Sequence, residues 1–478
     1  MTQNTETQID TPGLVFPTGF VWGSATSAYQ IEGALTADGR GRSIWDTFVA
    51  QPGRVVEGDD ASVAIDHYNR YRDDVRLMAD LGLTAYRFSV SWTRIQPDGK
   101  GEVNPKGLDF YKRLVDELLS YGISPWVTLY HWDLPQALED DGGWPSRDLS
   151  KRFADFAAIV HGALGDRVAN WATVNEPWCA AFLGYSSGEH APGRRVPAES
   201  IKAAHHLNLA HGLAVQAMRA QRTDTRIGGC VNLYAISPQT DSEADRDAAR
   251  RIDGVQNRFF LDALMRGRYP QDVLDDLTPL IAPEEYIKDG DLELIAAPLD
   301  MLLINYYSRF TVTGAAGGTK SASAAPTDTG SAWPGNEHVG FVNGGRPVTG
   351  MGWEVDGGGL YEVLTRLRDE YPAIPLYISE NGAAYDDVVT EDGAIHDVER
   401  QAYIDTHLRV CHQAIEAGVP LEGYFAWSLM DNFEWAWGYG KRFGLVYVDY
   451  PTQTRILKDS ALWYAETIRH GGLRGPAQ

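Results

Sequence analysis

Two glutamates close apolar, β-branched runs about two hundred residues apart: Glu176 in Thr-Val-Asn-Glu-Pro and Glu380 in Tyr-Ile-Ser-Glu-Asn-Gly. Either one alone reads equally well as a surface residue at a helix start or as part of an ordinary turn. As a pair at matching ends of two buried strands, they fit cleavage of a glycosidic bond. One carboxyl protonates the leaving oxygen while the other attacks or stabilises the anomeric carbon. Such a pair works only if the fold lays the two strands close together, so the remaining elements must supply that frame and a sugar pocket.

Eight short apolar runs begin at Phe20, Ala85, Ser124, Asn170, Arg226, Met301, Pro375 and Leu421. Between them lie amphipathic segments of helical period, starting for example at Tyr71, Leu108 and Tyr403, and each closes on a glycine. Parallel strands need crossover helices, so this alternation predicts an α/β fold: a (β/α)8 TIM barrel, a single domain with long βα loops. The expected catalytic domain spans 14–470, with residues 1–13 and 471–478 as terminal tails. A Gly/Ala/Ser/Thr-rich stretch from Gly314 follows the sixth run, too long for a tight turn. It reads as a mobile surface loop or as part of a lid.

The chain has 478 residues, with 42 basic against 65 acidic, a net charge of −23. That balance disfavours nucleic acid, anionic membranes and phosphorylated ligands as general partners. The N-terminus lacks a basic segment followed by an apolar one, and no run approaches the roughly 18 apolar residues of a membrane span. The expectation is a soluble, cytoplasmic protein without nucleic-acid or membrane partners. Cys179, Cys230 and Cys411 are odd in number and lack metal-ligand spacing, so they read as reduced thiols, with no metal site. Oligomeric state is not legible, and a homo-oligomer stays open.

In a (β/α)8 barrel the chemistry sits at the C-terminal ends of the strands. The polar residues of this chain collect there: Arg87, His131 and Trp132, Asn175 and Glu176, Asn305 and Tyr307, Glu380, then Trp427 to Trp435. His131 alone reads as a core histidine. Beside Tyr130 and Trp132, in a chain with 14 Trp and 23 Tyr, it suits a pocket where indole faces pack on a pyranose. The run Asp431 to Trp437 sets indoles around Glu434, a costly surface unless a ligand packs on it.

The segments FPTGFVWGSATSAYQIEG, YRFSVSWTRI, YHWDLPQAL, TVNEPW, INYY, YISENG and GYFAWSLMDNFEWAWGYGKRFGLVYVD together resemble the β-glucosidases of glycoside hydrolase family 1. The resemblance implies a retaining hydrolase of terminal, non-reducing β-D-glucosyl residues: cellobiose, short cello-oligosaccharides and aryl β-glucosides, with β-galactosides and β-fucosides as further substrates. It implies a covalent glycosyl-enzyme intermediate and no cofactor. By matched motif, Glu176 resembles the acid/base, Glu380 the nucleophile, and Arg87 and Tyr307 the pair that steadies it. Gln30, His131, Trp132, Asn175, Asn305, Trp353, Trp427, Glu434, Trp435 and Phe443 resemble the substrate-binding set. Arg87 and Tyr307 are expected to favour ionised Glu380, and Glu380 to raise the pKa of Glu176.

Two alternatives stand beside this reading. A 6-phospho-β-glycosidase resembles the family pattern with serine at the place of Glu434 and tyrosine at that of Phe443. The other is a catalytically silent sugar-binding barrel, open to any enzyme fold. Departures from the family pattern are Leu303 for glycine, Ser379 for threonine and a missing proline in WEVDGGGL, which predicts a looser loop after Trp353.

Overall fold

The computed structural model describes residues 13–315, 318–319 and 329–474. The eight apolar runs form strands β1 (Val21–Ala25), β2 (Ala85–Ser89), β3 (Ser124–Tyr130), β4 (Asn170–Asn175), β5 (Arg226–Asn232), β6 (Met301–Asn305), β7 (Leu376–Asn381) and β8 (Leu421–Trp427). They pair in chain order, all parallel, and β8 closes on β1 through pairs such as Trp427 with Ala25. Strands covered on both faces cannot alternate polar with apolar residues, which is why each run was legible as a nearly continuous apolar string. Within the barrel the Trp126 ring packs against Tyr377 and Phe425 at 4.8 and 5.1 Å, with Ala25, Ala85 and Ala172 in the same cluster. Gly23 is required there, because a Cβ on it would lie 2.3 Å from the Phe425 ring.

The crossover helices include His67–Asp80, Pro105–Ser120 and Val398–Glu416. Each starts about a turn before the apolar periodicity does, because the first turn is rich in polar residues even where some, such as His67 and Arg400, are buried. Pro105 stands at the first helical position, and the Asn104 side chain caps it by accepting from the Lys106 N–H at 3.3 Å. All three helices run out into glycines of positive φ, Gly82, Gly122 and Gly418.

The expected C-terminal tail from residue 471 is corrected by pairing. Leu14–Val15 runs antiparallel to Gly472–Leu473, and Leu473 is buried, so an apolar residue draws the end of the chain onto the body. Residues 1–12 and 475–478 lie outside the described residues. So does most of the Gly/Ala-rich stretch, 316–317 and 320–328. Its described distal part is docked: Ser186 Oγ donates to the Ser331 carbonyl at 2.8 Å. After Trp353 the chain enters the helix Gly357–Glu370. Among the described residues no helix is long and apolar enough to cross a membrane.

Candidate active site

Parallel register sets the polar residues of adjacent strand ends beside one another. Asn305 at the end of β6 is level with Glu380 on β7 and with Asn232 on β5, while Asn175 on β4 is level with Cys230. Glu176 continues β4 by one residue, its N–H bonded to the Cys230 carbonyl at 3.0 Å, and turns at φ +46.

The two carboxyls are held differently. Glu380 Oε1 accepts from Arg87 Nη1 at 2.6 Å and its Oε2 from the Tyr307 hydroxyl at 2.7 Å. Arg87 is itself fixed from behind, donating through Nη2 to Asn175 Oδ1 at 2.5 Å. Among the described residues no cation is bonded to Glu176. Its Oε1 accepts from Asn305 Nδ2 at 2.6 Å, and its Oε2 from the Cys179 thiol at 3.0 Å. Asn305 Nδ2 also donates to Asn175 Oδ1 at 3.1 Å, which links Glu176 to the side chain that holds Arg87. The orientation of Asn305 is locked by Ser379 Oγ, which donates to Asn305 Oδ1 at 2.6 Å.

These groups open onto a cavity of roughly 1000 Å³ including its mouth. On one side stand His131, Trp132, Trp427, Glu434 and Trp435, with the His131 ring stacked near-parallel to Trp427 and to Trp435 at 5.8 and 6.0 Å. Trp353 and Phe443 also line it and pack around Tyr307. Gln30, Asn175 and Asn305 are fully buried and bonded to site residues. Gln30 Nε2 donates to Glu434 Oε2 at 3.4 Å, and Asn175 carries both Arg87 and, at 3.3 Å, the His131 ring. The opposite side of the cavity, with Trp178, Cys179, Glu189 and Trp333, was missed in the sequence. Trp178 follows TVNEP directly and was a readable signal. Trp333 sits in the Gly/Ala-rich stretch, where nothing marked it.

Left-handed backbone occurs at three residues of the site. Trp132, Glu176 and Trp435 are non-glycine residues with φ of +74, +46 and +48. Conformations of this kind cost on the order of 1–3 kcal/mol each and persist where the surroundings over-determine them. The loop after β8 is anchored by a buried ion cluster: Lys458 Nζ meets Asp387 at 2.5 Å and Asp431 at 2.7 Å, and Arg442 meets Asp431 at 2.6 Å. Asp431 lies three residues before Glu434.

Burial is the main influence on the acids. It raises Glu176, and the nearby Glu380 charge raises it further. Glu380 is also raised by burial, against the opposing pull of Arg87, Tyr307 and Asn305. The expected effect of those partners is therefore present but smaller than desolvation. Of the two, only Glu380 has a cation and a phenol bonded to it, so the proton shared by this site rests on Glu176. Glu434 is pushed up to about 8, first by burial and then by Glu380 and Glu176. With that pKa Glu434 is mostly protonated at neutral pH.

These shifts carry a stability prediction. A carboxyl whose folded pKa is raised binds a proton in the folded state that the unfolded chain has lost, so stability falls as pH rises through that interval. For Glu434 the window runs from about 4.3, the unfolded value, to about 8. Thermal melts should therefore show Glu434→Gln gaining on the wild type between pH 5 and pH 8, and a constant difference across that range would contradict the assignment.

A closed parallel barrel whose mouth holds two buried carboxyls walled by indoles defines a glycoside hydrolase of the (β/α)8 class. The chain belongs to glycosyl hydrolase family 1, whose model matches residues 14–473. It is 47% identical to β-glucosidase A of Thermotoga maritima over 96% of this chain and 98% of that one. It is 48% identical to a bifunctional β-D-glucosidase/β-D-fucosidase of Bifidobacterium breve over 95% and 98%. Among solved structures it superposes on a psychrophilic β-glucosidase from Micrococcus antarcticus with a TM-score of 0.92, at 49% identity, covering 96% and 98% of the two chains.

Proposed function

We propose that this protein is a retaining β-glucosidase in which Glu380 is the nucleophile and Glu176 the general acid and then the general base, with 14–473 as one catalytic unit. The supporting observation is the asymmetry of the carboxyls. Glu380 is bonded to Arg87 and Tyr307, which favour its anion, while Glu176 has only an amide and a thiol and is held in its protonated form.

In the first step Glu380 attacks the anomeric carbon as Glu176 gives its proton to the departing oxygen. Esterified Glu380 no longer carries charge, so the repulsion that raised Glu176 disappears. Glu176 is then the stronger acid and, once ionised, takes a proton from the water that attacks the intermediate. The sugar lies against His131, Trp427 and Trp435, with Glu434 receiving its hydroxyls. Donation from those hydroxyls favours the ionised form of Glu434, so substrate binding lowers a pKa that burial raises. Terminal β-glucosyl residues of cellobiose, short cello-oligosaccharides and aryl glucosides are the substrates, with fucosides and galactosides accepted. The three unpaired, buried cysteines favour a reducing compartment, and we place the enzyme in the cytoplasm.

A 6-phosphorylated sugar fits less well. The positions that would serve the phosphate hold Glu434 and Phe443, an acid and a group without a hydrogen-bond donor, and Lys441 Nζ is engaged by the Gly350 carbonyl at 2.6 Å. Release of p-nitrophenol from the plain β-glucoside, measured beside its 6-phosphate analogue, tests the reading. The plain glucoside should be the better substrate, and Glu434→Ser should lower its kcat/KM by about 10- to 100-fold, the range for losing charged hydrogen bonds. Preference for the phosphorylated analogue would overturn the substrate class, and no turnover of either would favour the silent barrel.

A further inference from the structure

Glu176 is followed at once by helical backbone, and three residues later the chain enters a wide, π-helical segment, Cys179–Ser187. That geometry turns the Cys179 side chain back onto the glutamate. The thiol donates to Glu176 Oε2 at 3.0 Å, and Asn232 Nδ2, at the end of β5, reaches the same sulfur at 3.5 Å. Asn305 occupies the other carboxyl oxygen. The three side chains thus fix the carboxyl plane from both edges.

We propose that Cys179 is a positioning residue for the reaction: held by Asn232, its thiol orients the Glu176 carboxyl and sets how readily that group gives up and retakes its proton. This rests on the acid/base role proposed for Glu176. The chemistry of sulfur suits the task. A thiol is a weak donor, so it steadies Oε2 without competing strongly for the proton that must pass to the leaving oxygen. Once Glu176 is ionised, the same S–H points at the new charge and gives it modest help. A hydroxyl there would hold the anion more tightly and make Glu176 a stronger acid but a weaker base. A methyl would leave Oε2 without that donor and do the reverse. Burial and the adjacent Glu176 keep Cys179 in its thiol form, so the hydrogen it donates is retained.

Other titratable groups also face Glu176, and the test has to separate the thiol from them. Glu380 comes from β7, Arg87 from β2, Cys230 from β5, Tyr234 from the segment after β5, Tyr307 from the segment after β6, and Glu434 from the loop after β8. None of these is altered by substitution at 179.

The experiment is the pH profile of kcat/KM for cellobiose, a substrate whose leaving group needs protonation, in the wild type, Cys179→Ser and Cys179→Ala. Glu176→Gln serves as the control. The basic limb should move to lower pH in Cys179→Ser and to higher pH in Cys179→Ala, each by about half a unit, the size of one modest hydrogen bond. With a dinitrophenyl glucoside, whose leaving group needs no proton, the formation step should be little changed in either variant. Limbs that stay in place, or that move the same way in both variants, would overturn the proposal, as would a loss of rate with an unchanged profile. The control keeps the two claims apart. If Glu176→Gln loses the basic limb and the Cys179 variants leave it unmoved, only the thiol's role fails. If Glu176→Gln retains that limb, the acid/base reading fails and this one with it.

Discussion

Glu380→Ala should lose at least about 10⁴-fold in turnover of any β-glucoside, the scale seen when a nucleophile is removed from an otherwise intact site. The variant should still fold, at a cost in stability, since Arg87 loses its buried ion-pair partner but keeps its bond to Asn175. The vacated space lies between Arg87 and Tyr307, two donors that now face nothing. A small anion such as azide can enter there and attack from the side Glu380 occupied. With an activated dinitrophenyl β-glucoside it should restore turnover and yield the α-glucosyl azide, because a single displacement inverts the anomeric centre. Steady-state rates and the product's anomeric NMR signal check this. Wild-type rates without azide, or a β-azide product, would count against the assignment.

Glu176→Ala should behave differently, and the difference is diagnostic. Losing a general acid costs about 10²- to 10⁴-fold where the leaving group needs a proton, as with cellobiose. With a dinitrophenyl glucoside the first displacement needs no acid, so the intermediate should form at near-normal rate and accumulate, giving a burst followed by a slow steady state. Azide would then take the place of water at the intermediate and give the β-glucosyl azide. Equal losses on both substrates, with no burst, would remove Glu176 from the acid/base role.

How much of this was legible beforehand depends on which force set each feature. The eight strands were, because burial on both faces forces an apolar string. The paired acids and their partners were, because strand ends of a parallel barrel converge. Helix starts were not, because a polar first turn resembles a loop. Gln30, Asn175 and Asn305 also bond Glu434, Arg87, His131 and Glu176, contacts that their sequence positions do not show. A residue's type signals hydrogen bonding but not which neighbour receives it. The Cys179 contact depends on a π-helical turn, and the strained backbone at Trp132 and Trp435 on tertiary packing, neither of which leaves a local sequence pattern. The raised pKa of Glu434 arises first from burial and then from two other acids distant in the chain, so no local reading could supply it.

The most direct test of the central claim is to trap the intermediate. A 2-deoxy-2-fluoro-β-glucoside with a dinitrophenolate leaving group forms the glycosyl-enzyme faster than water can remove the sugar, because fluorine destabilises both transition states while the good leaving group spares the first. Digestion and mass spectrometry should place one fluoroglucosyl group on the peptide carrying Glu380, with inactivation matching its appearance. An adduct on Glu176 or on another residue, or turnover without any adduct, would contradict a double displacement through Glu380.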